Sequence, residues 1–214
     1  MTITEETLKS PRVQRKREKA RQRILDAAEK LMRAHGVDGV TIQDITDAAD
    51  VGHGTFYTHF KTKMDVLVPI AEATAKRLTR RMDKMTADMD DAAEVVSFSV
   101  RHMLHAIEKD PLWTWFLCNS KLPMDDMRRG VDGSGARDVR RGVDLGRFAP
   151  ISEAVAESFL LGALIGVVQE RLTKAHDDKT VEEAAELILR TLGLDPSEAT
   201  DIAHRPLPPL PELP

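Results

Sequence analysis

Two short amphipathic helices separated by a tight turn are predicted between residues 41 and 63, and they constrain the fold more than any other feature of the sequence. Thr41 and Asp44 have the spacing of a capping box at the start of the first helix. Ile45 and Ala49 follow on one face of it, at the four-residue spacing of a buried helical stripe. The pattern predicts a helix-turn-helix.

The second of these helices is predicted to begin at about His53 and to span two turns. It follows a turn in which Gly52 is expected to supply backbone conformations that other residues resist. Phe56 and Phe60 are four residues apart and are expected in the core, which leaves Tyr57, the only tyrosine of the chain, on another face. The exposed side of this helix therefore carries polar groups and a ring.

The segment Arg17–Leu67 resembles the DNA-binding domain of TetR-type transcriptional regulators. The family pattern has a threonine at the start of the second helix, then V-x-x-G-T-x-Y-x-x-F and a lysine three residues later. It is met here by Thr41, Ile45, Ala48, Val51, Gly54, Thr55, Tyr57, Phe60 and Lys63. The sequence departs from it at Asp50, where glycine is usual, and at Gly52, where serine is common.

The resemblance implies an all-α protein in which a three-helix DNA-binding domain precedes a helical ligand-binding and dimerisation domain. The expected segments are a disordered basic arm (1–13), the helix-turn-helix domain (14–62), the effector-binding and dimerisation domain (63–195) and a proline-rich tail (196–214). A helical dimer of this kind is expected to place its two reading helices in successive major grooves of a near-palindromic operator.

The charge distribution agrees with a DNA-binding N-terminus. The formal net charge is −4, but residues 1–63 carry 12 Lys and Arg against 9 Asp and Glu, so the remainder of the chain is strongly acidic. The run from Lys9 to Arg23 holds eight basic residues against Glu18 alone. Such a run is either an arm that contacts phosphates or a solvated helix face, and its position before the helix-turn-helix favours the arm.

The candidate DNA contacts divide into two classes. Side chains that can hydrogen-bond to base edges are Gln43, His53 and Thr55. Side chains expected at phosphates are Thr41, Tyr57, His59 and Lys63, together with Arg12, Arg15 and Lys16 of the basic run. For Gln43 and the two histidines, an ordinary solvated surface position is the alternative.

The C-terminal part of the chain contains two strongly apolar helical patterns. One opens at Ser152 and is apolar nearly all round, which predicts burial on every face, and the other opens with a capping box at Thr180 and Glu183. They are expected to form a four-helix bundle with a second copy through Phe159, Gly162, Ile165, Gly166, Ala184 and Ile188. The alternative is one buried helix in a monomer. Between residues 121 and 147, five glycines predict poor helix.

The resemblance also implies a small-molecule effector bound in the C-terminal domain. The candidate pocket residues are Phe98, His102, Met103, Trp113, Phe116, Met124, Met127 and Phe159. Their aromatic and methionine character favours a small hydrophobic or aromatic effector, although about half of such residues are expected to be plain core.

Two other classes of function stay open at this point. His102 and His105, with Glu108 close behind, have the spacing of a metal site in an enzyme or a metal sensor. A DNA-binding protein without an effector is the third possibility. No nucleophile or phosphate-binding signature appears, no cofactor is expected, and the single Cys118 is interpreted as buried filler or, less readily, a reactive thiol. No apolar run is long enough to span a bilayer, so a cytoplasmic protein without a membrane partner is expected.

Overall fold

The computed structural model of the chain describes residues 11–119, 133–173 and 179–212. Every regular element in these ranges is an α-helix. The helices are α1 (Pro11–His35), α2 (Ile42–Ala48), α3 (His53–His59), α4 (Met64–Thr86), α5 (Ala92–Lys109), α6 (Pro111–Asn119), α7 (Ser134–Asp144), α8 (Glu153–Thr173), α9 (Thr180–Thr191) and α10 (Pro196–Ala203). The all-α prediction is confirmed.

The chain forms two compact units, residues 1–71 and residues 72–214. We call their described parts the DNA-binding unit (11–71) and the C-terminal unit (72–212). The boundary lies inside α4, nine residues beyond the expected one, and just after Pro69, which cannot donate the hydrogen bond that helix geometry would place there.

The core of the DNA-binding unit is formed by one face of α1 together with buried residues of the helices that follow, such as Ile45 and Phe56. Ile24, Leu25, Ala28 and Met32 are the buried positions of α1. Gly36 ends this helix with a φ of 75°, as the sequence predicts for a C-terminal cap. The helix begins at Pro11 instead of residue 14, so the last residues of the expected disordered arm are helical.

Helix α5 is the centre of the C-terminal unit. It contacts α6, α7, α8, α9 and α10, and eleven of its eighteen residues are buried. One of them is Arg101, whose guanidinium donates to Glu182 Oε1 of α9 at 3.0 Å. An arginine is stable at this depth because its charge is paired.

Three expectations for the C-terminal unit are wrong. The glycine-rich stretch contains a helix, α7, which follows the left-handed Gly133. Residues 196–203 form α10, whose Ala199, Ile202 and Ala203 are buried, so the expected tail starts as folded core. The cap at the start of α9 is Lys179, which makes no side-chain capping hydrogen bond, so Thr180 lies inside the helix.

Only part of the expected dimer face is exposed in the single chain. Ile165 of α8 and Ala184 and Ile188 of α9 are buried within the chain, so they offer little surface to a second copy. Helix α8 is not buried on every face, because Phe159, Gly162 and Gly166 are exposed. A nearly uniform apolar composition gave no way to distinguish the inner face of α8 from the outer one.

Candidate nucleic-acid interface and effector cavity

Helix α2 begins with the predicted capping box. Thr41 Oγ1 accepts from the Asp44 amide at 3.1 Å, and Asp44 Oδ2 accepts from the Thr41 amide at 2.8 Å and from the Thr41 hydroxyl at 2.6 Å. These hydrogen bonds hold the pKa of Asp44 below its usual value. The hydroxyl of Thr41, expected at a phosphate, already donates inside the box.

The turn between α2 and α3 is built on Asp50 instead of Gly52. Asp50 has a φ of 50°, in the left-handed region that aspartate tolerates better than most residues. Arg23 Nη2 donates to the Asp50 carbonyl at 2.5 Å and to its Oδ2 at 2.9 Å, which ties the turn to α1. Gly52 has an ordinary φ of −72° and is simply the N-cap of α3, so its predicted special geometry is wrong.

Helix α3 presents one aromatic face inward and another outward. Phe56 and Phe60 are buried as predicted, and Tyr57 is 55% exposed with its ring 5.6 Å from that of Phe56 in an edge-on contact. His53 is exposed and Thr55 is half-buried. The phenol is therefore held by a rigid aromatic base while its outer surface stays open to solvent.

The end of α3 lies against basic residues of α1. Arg17 Nη2 donates to the Thr58 carbonyl at 3.4 Å, and the Arg21 guanidinium lies 5.6 Å from the centre of the Phe60 ring. Partial burial, with Arg17 and Arg21 nearby, lowers the pKa of His59. The lowered pKa favours the neutral form of His59 in the free protein, which makes it a weaker partner for a phosphate.

Lys63 has a role that the sequence does not reveal. Its Nζ donates to the carbonyls of Val37 and Val40, both at 2.7 Å, so it closes the loop between α1 and α2. Helix α4 starts one residue later, and Asp65 accepts from the Lys61 and Thr62 amides at its beginning. The expectation that Lys63 points freely at a phosphate is therefore not met in this structure.

The remaining candidate DNA contacts are exposed. Gln43 lies on the surface of α2, and its Nε2 donates to Asp47 Oδ1 at 2.7 Å, so one edge of the amide is in use. Arg12, Arg15 and Lys16 are exposed on the first turns of α1. All three stand on a helix, as expected for Arg15 and Lys16, whereas Arg12 was expected in the disordered arm.

The predicted pocket residues do not come together. Met103 lines a cavity of the C-terminal unit, Trp113 lines a different one, and Phe98 is buried without lining either. Phe159 is 40% exposed on α8. The side chains of Phe116, Met124 and Met127 lie outside the described residues.

The cavity lined by Met103 lies between α4, α5, α7 and α8 and has a volume of about 70 Å³; we call it the effector cavity, after the role that the resemblance implies for this part of the chain. Its walls are mainly apolar, from Met82, Val96, Val100, Met103, Ala136, Leu160, Leu161 and Leu164. Its polar groups are Asp83, Ser99, Ser134, Asp138 and Glu157. A mainly apolar wall with a small set of polar groups has the chemistry of a small-molecule site, although the cavity is smaller than the roughly 300–1,000 Å³ of most such sites.

Asp138 is the most perturbed group of the effector cavity. Burial, and then the nearby carboxylate of Asp83, raise its pKa to about 6. Arg137 and Arg141 act in the opposite direction. Asp138 was missed in the sequence because it lies in the glycine-rich stretch that was interpreted as poor helix, although the repeated charges of α7 have helical spacing.

The candidate metal ligands are used in other ways. His102 is half-buried with Nε2 at 2.8 Å from the Pro208 carbonyl. Glu108 is paired with Arg171 of α8. Within residues 11–119, 133–173 and 179–212, no three His, Cys, Asp or Glu side chains are grouped so that they could hold a metal ion.

Comparison with known proteins decides the family. The model of bacterial regulatory proteins of the tetR family matches residues 24–69, and the model of the tetracyclin repressor-like C-terminal domain matches residues 91–205. The second match alone covers more than half of the chain. The chain belongs to the TetR family. This TetR-family chain is therefore a ligand-responsive DNA-binding transcriptional regulator.

Individual relatives span most of this TetR-family chain. The crystal structure of RolR in complex with resorcinol is 32% identical, has a TM-score of 0.86, and covers 92% of this chain and 100% of RolR. The transcriptional repressor KstR of Mycobacterium tuberculosis is 22% identical over 177 residues, which are 79% of this chain and 80% of KstR. YfiR, an HTH-type transcriptional regulator of Bacillus subtilis, is 23% identical over 198 residues, 86% and 97% of the two chains.

None of the helices in the described ranges combines the length and the apolar character that crossing a bilayer requires.

Proposed function

We propose that this regulator is a repressor that binds a near-palindromic operator as a homodimer and is released by a small, hydroxylated aromatic effector. The observation that carries the effector assignment is Asp138, a partly buried carboxyl group in a small and otherwise mostly apolar cavity. A buried carboxylate without a charged partner is costly, and a ligand hydroxyl that donates to it offsets part of this cost.

At the DNA, we assign base edges to Gln43, His53 and Thr55. Tyr57 is assigned to a phosphate, because its exposed hydroxyl is held on the rigid Phe56 ring. Thr41 stays a weaker phosphate candidate, since its hydroxyl donates within the capping box.

Basic residues beside α3 supply the remaining proposed phosphate contacts. Arg12, Arg15 and Lys16 are exposed at the start of α1 and can approach the backbone without breaking an ion pair of the unit. Lys63 is assigned to supporting the helix-turn-helix instead, because two carbonyls accept from its ammonium group. His59 is assigned the same role, because partial burial and then the nearby arginines lower its pKa.

For the dimer, we propose the exposed apolar side of α8 together with the exposed edge of α9. Val155, Phe159 and Leu187 are 57%, 40% and 61% exposed, an unusual display for large apolar side chains. Gly162 and Gly166 continue the exposed side of α8, and a Cβ added to either would meet no atom within 4 Å. A helix from a second copy can approach closely at these glycines.

For the effector, the chemistry of the cavity points to one ring with hydroxyl groups. A cavity of about 70 Å³ is about half the size of the roughly 150 Å³ engineered cavity that holds benzene, so a single ring requires the cavity to widen and a long chain requires a much larger rearrangement. Asp83 and Asp138 belong to different helices and can accept from two hydroxyls of one ligand. The resorcinol-bound structure of RolR, 32% identical to this chain, supports this class of ligand.

Release requires that the effector bind the DNA-free state more tightly than the DNA-bound state. Each tenfold preference contributes about 1.4 kcal/mol to that shift. Asp83 and Met82 of the cavity wall belong to α4, the helix whose first residues lie in the DNA-binding unit. We assign the transmission to α4 because it is the element that contributes residues to both units.

The test starts from DNA sequences selected by the purified full chain. Fluorescence anisotropy should show tight binding to a selected palindrome, and resorcinol should weaken it while 1,3-dimethoxybenzene, which cannot donate, should not. The variant Asp138→Asn should bind the same DNA but lose the resorcinol response. Equal responses to both compounds would overturn the assignment to Asp138, and steep salt dependence without sequence preference would indicate an architectural protein instead.

A further inference from the structure

The proline-rich end of the chain is folded against the C-terminal unit. Residues 205–212, which we call the C-terminal strap, run along α5 and α4. Proline has no backbone N–H, so the four prolines of the strap donate no backbone hydrogen bond. Their carbonyls instead accept from side chains of the two helices. These contacts are Arg101 Nη1 to Arg205 O (2.7 Å), His102 Nε2 to Pro208 O (2.8 Å), Arg81 Nε to Pro211 O (2.9 Å) and Lys84 Nζ to Glu212 O (3.4 Å).

A second cavity lies where the strap meets α4, the end of α5 and the start of α6. We call it the strap cavity; its volume is about 400 Å³ and it shares no lining residue with the effector cavity. Leu78, Ala106 and Ile107 give it an apolar wall. Arg77, Arg81 and Trp113 line it with hydrogen-bond donors. The combination of an apolar wall and convergent donors is typical of a ligand site.

Arg81 is held by neutral acceptors, although the carboxylates of Asp110 and Glu212 line the same cavity. Its guanidinium is partly buried and donates to the neutral carbonyls of Leu210 and Pro211. Within the described part of the chain it forms no ion pair, in contrast to the buried Arg101, which is paired with Glu182. Because a carboxylate is a stronger acceptor for a guanidinium than a carbonyl is, Arg81 is suited to bind an anion.

Trp113 also lines this cavity, and its side chain carries a donor without a partner among the described residues. Its side chain is only 5% exposed, and its Nε1 is buried with no acceptor in the described residues. A buried indole N–H group normally donates a hydrogen bond, and burying one without an acceptor is unfavourable. Asp110, which also lines the cavity, accepts from the amides of Leu112 and Trp113 at the start of α6.

We propose that the strap cavity binds a small organic carboxylate with an apolar body. The acid group would accept from Arg81 and from the indole N–H of Trp113, and the apolar body would contact Leu78 and Ile107. The site is chemically different from the effector cavity, where Asp138 disfavours an anion and accepts from hydroxyls. The chain would therefore respond to two classes of ligand, and the strap would form the outer wall of the second site.

Calorimetry on the full chain tests this with benzoate and its uncharged analogue benzamide. Benzoate should bind, with benzamide weaker by at least about tenfold, the scale of one lost charge-assisted hydrogen bond. Arg81→Gln and Trp113→Phe should each weaken benzoate by about tenfold or more. Arg80→Gln is the matched control, since Arg80 is exposed on the same helix and lines neither cavity. Asp138→Asn should leave benzoate affinity unchanged, which separates this site from the effector cavity.

Magnetic resonance of the side-chain indole groups gives a direct readout. The Trp113 indole signal, identified by its loss in Trp113→Phe, should shift on addition of benzoate in the natural chain and in Arg80→Gln. Equal affinities for benzoate and benzamide, no shift of that signal at saturating benzoate, or undiminished binding in Trp113→Phe would each overturn the proposal. Trp113→Phe keeps the test decisive if Arg81→Gln releases the strap, because it leaves the contacts between Arg81 and the strap in place.

Discussion

The two units of the chain use polar side chains in opposite ways. In the DNA-binding unit, many polar contacts join close neighbours at the surface, as between Thr41 and Asp44 or between Gln43 and Asp47. In the C-terminal unit, arginines connect residues far apart in sequence, as Arg101 does with Glu182 and Arg147 does with Asp91. The first arrangement leaves polar groups facing solvent, where DNA can meet them, and the second draws them into the protein.

Buried polar atoms without a hydrogen-bond partner, which destabilise a fold, are found in the C-terminal unit. In the ranges that the structure describes, the buried side-chain atoms without a hydrogen-bond partner are Thr79 Oγ1, Ser97 Oγ, Arg101 Nε and Trp113 Nε1, and all four belong to residues 72–212. Asp138, whose pKa is raised by burial, is a further unfavourably placed polar group in this unit. A unit that binds ligands keeps polar groups in unfavourable places, and ligands can relieve them.

The largest expected effect breaks the DNA-binding unit itself. Phe56→Ala removes a side chain with no exposed surface, and it should destabilise the unit by about 3–5 kcal/mol. Its neighbour Tyr57→Ala should cost only about 1 kcal/mol, because that ring is 55% exposed and loses mainly its edge-on contact with Phe56. Thermal unfolding followed by circular dichroism measures both changes.

DNA binding separates these two variants further. Both should bind a selected operator poorly, the first because α3 is no longer held and the second because the phenol is missing. If Phe56→Ala kept its unfolding temperature, the assignment of Phe56 to the core of the helix-turn-helix would be wrong.

A smaller effect with the opposite sign is expected in the C-terminal unit. Asp138→Asn should stabilise the protein at pH 7 by about 2 kcal/mol, allowing for partial exposure of the group. The raised pKa of Asp138, about 6, means that the folded chain holds a proton that the unfolded chain has already lost. Its contribution to stability is therefore full below about pH 4, is lost as the pH rises to about 6, and stays lost above that.

Urea unfolding between pH 4 and pH 8 measures this slope, which Asp138→Asn should remove. Asp144→Asn is the matched control, since Asp144 is exposed on the same helix and pairs with Arg140. Resorcinol affinity should also fall between pH 7 and pH 5, because a protonated Asp138 is a poorer acceptor. An unchanged slope in Asp138→Asn would show that another group titrates there.

Local signals explain why the sequence predicted the DNA-binding unit so closely. The capping box of Thr41, the inward Phe56 and Phe60 and the cap at Gly36 each depend on residues within one or two turns of each other. Such patterns are readable without knowing what packs against them. Lys63 is an exception, because its partners lie 23 and 26 residues away.

Contacts between distant segments explain why the C-terminal sites were not predicted. Ile165 and Phe159 look alike in sequence, and only the packing of α8 buries one and exposes the other. Asp138 becomes unusual because α4 and α5 enclose it, and a single carboxyl in a glycine-rich stretch gives no signal of that. Trp113 was expected in the pocket for its apolar ring, whereas its buried N–H is what distinguishes it.

A change at Lys63 tests the contrast between the two units. In the DNA-binding unit, its side chain donates to the carbonyls of two residues far away in the sequence, Val37 and Val40. Lys63→Met should destabilise the unit by about 1 kcal/mol through two lost hydrogen bonds, while Lys61→Ala, an exposed neighbour, should not. Chemical unfolding measures this. If stability were unchanged and the salt dependence of DNA binding became shallower by about one charge, Lys63 would instead be a phosphate contact.

The smallest expected effect concerns the sequence preference of α2. Gln43→Ala should relax the preference at one position per half-site by about 1 kcal/mol, near the lower end for a base contact, because Asp47 already holds the amide nitrogen. Tyr57→Phe is the comparison, since loss of a phosphate contact should weaken all sequences evenly. Binding measured across every single-base variant of a selected operator distinguishes the two patterns. A uniform loss for Gln43→Ala would move Gln43 from the base edges to the backbone, and α3 alone would then carry the sequence readout.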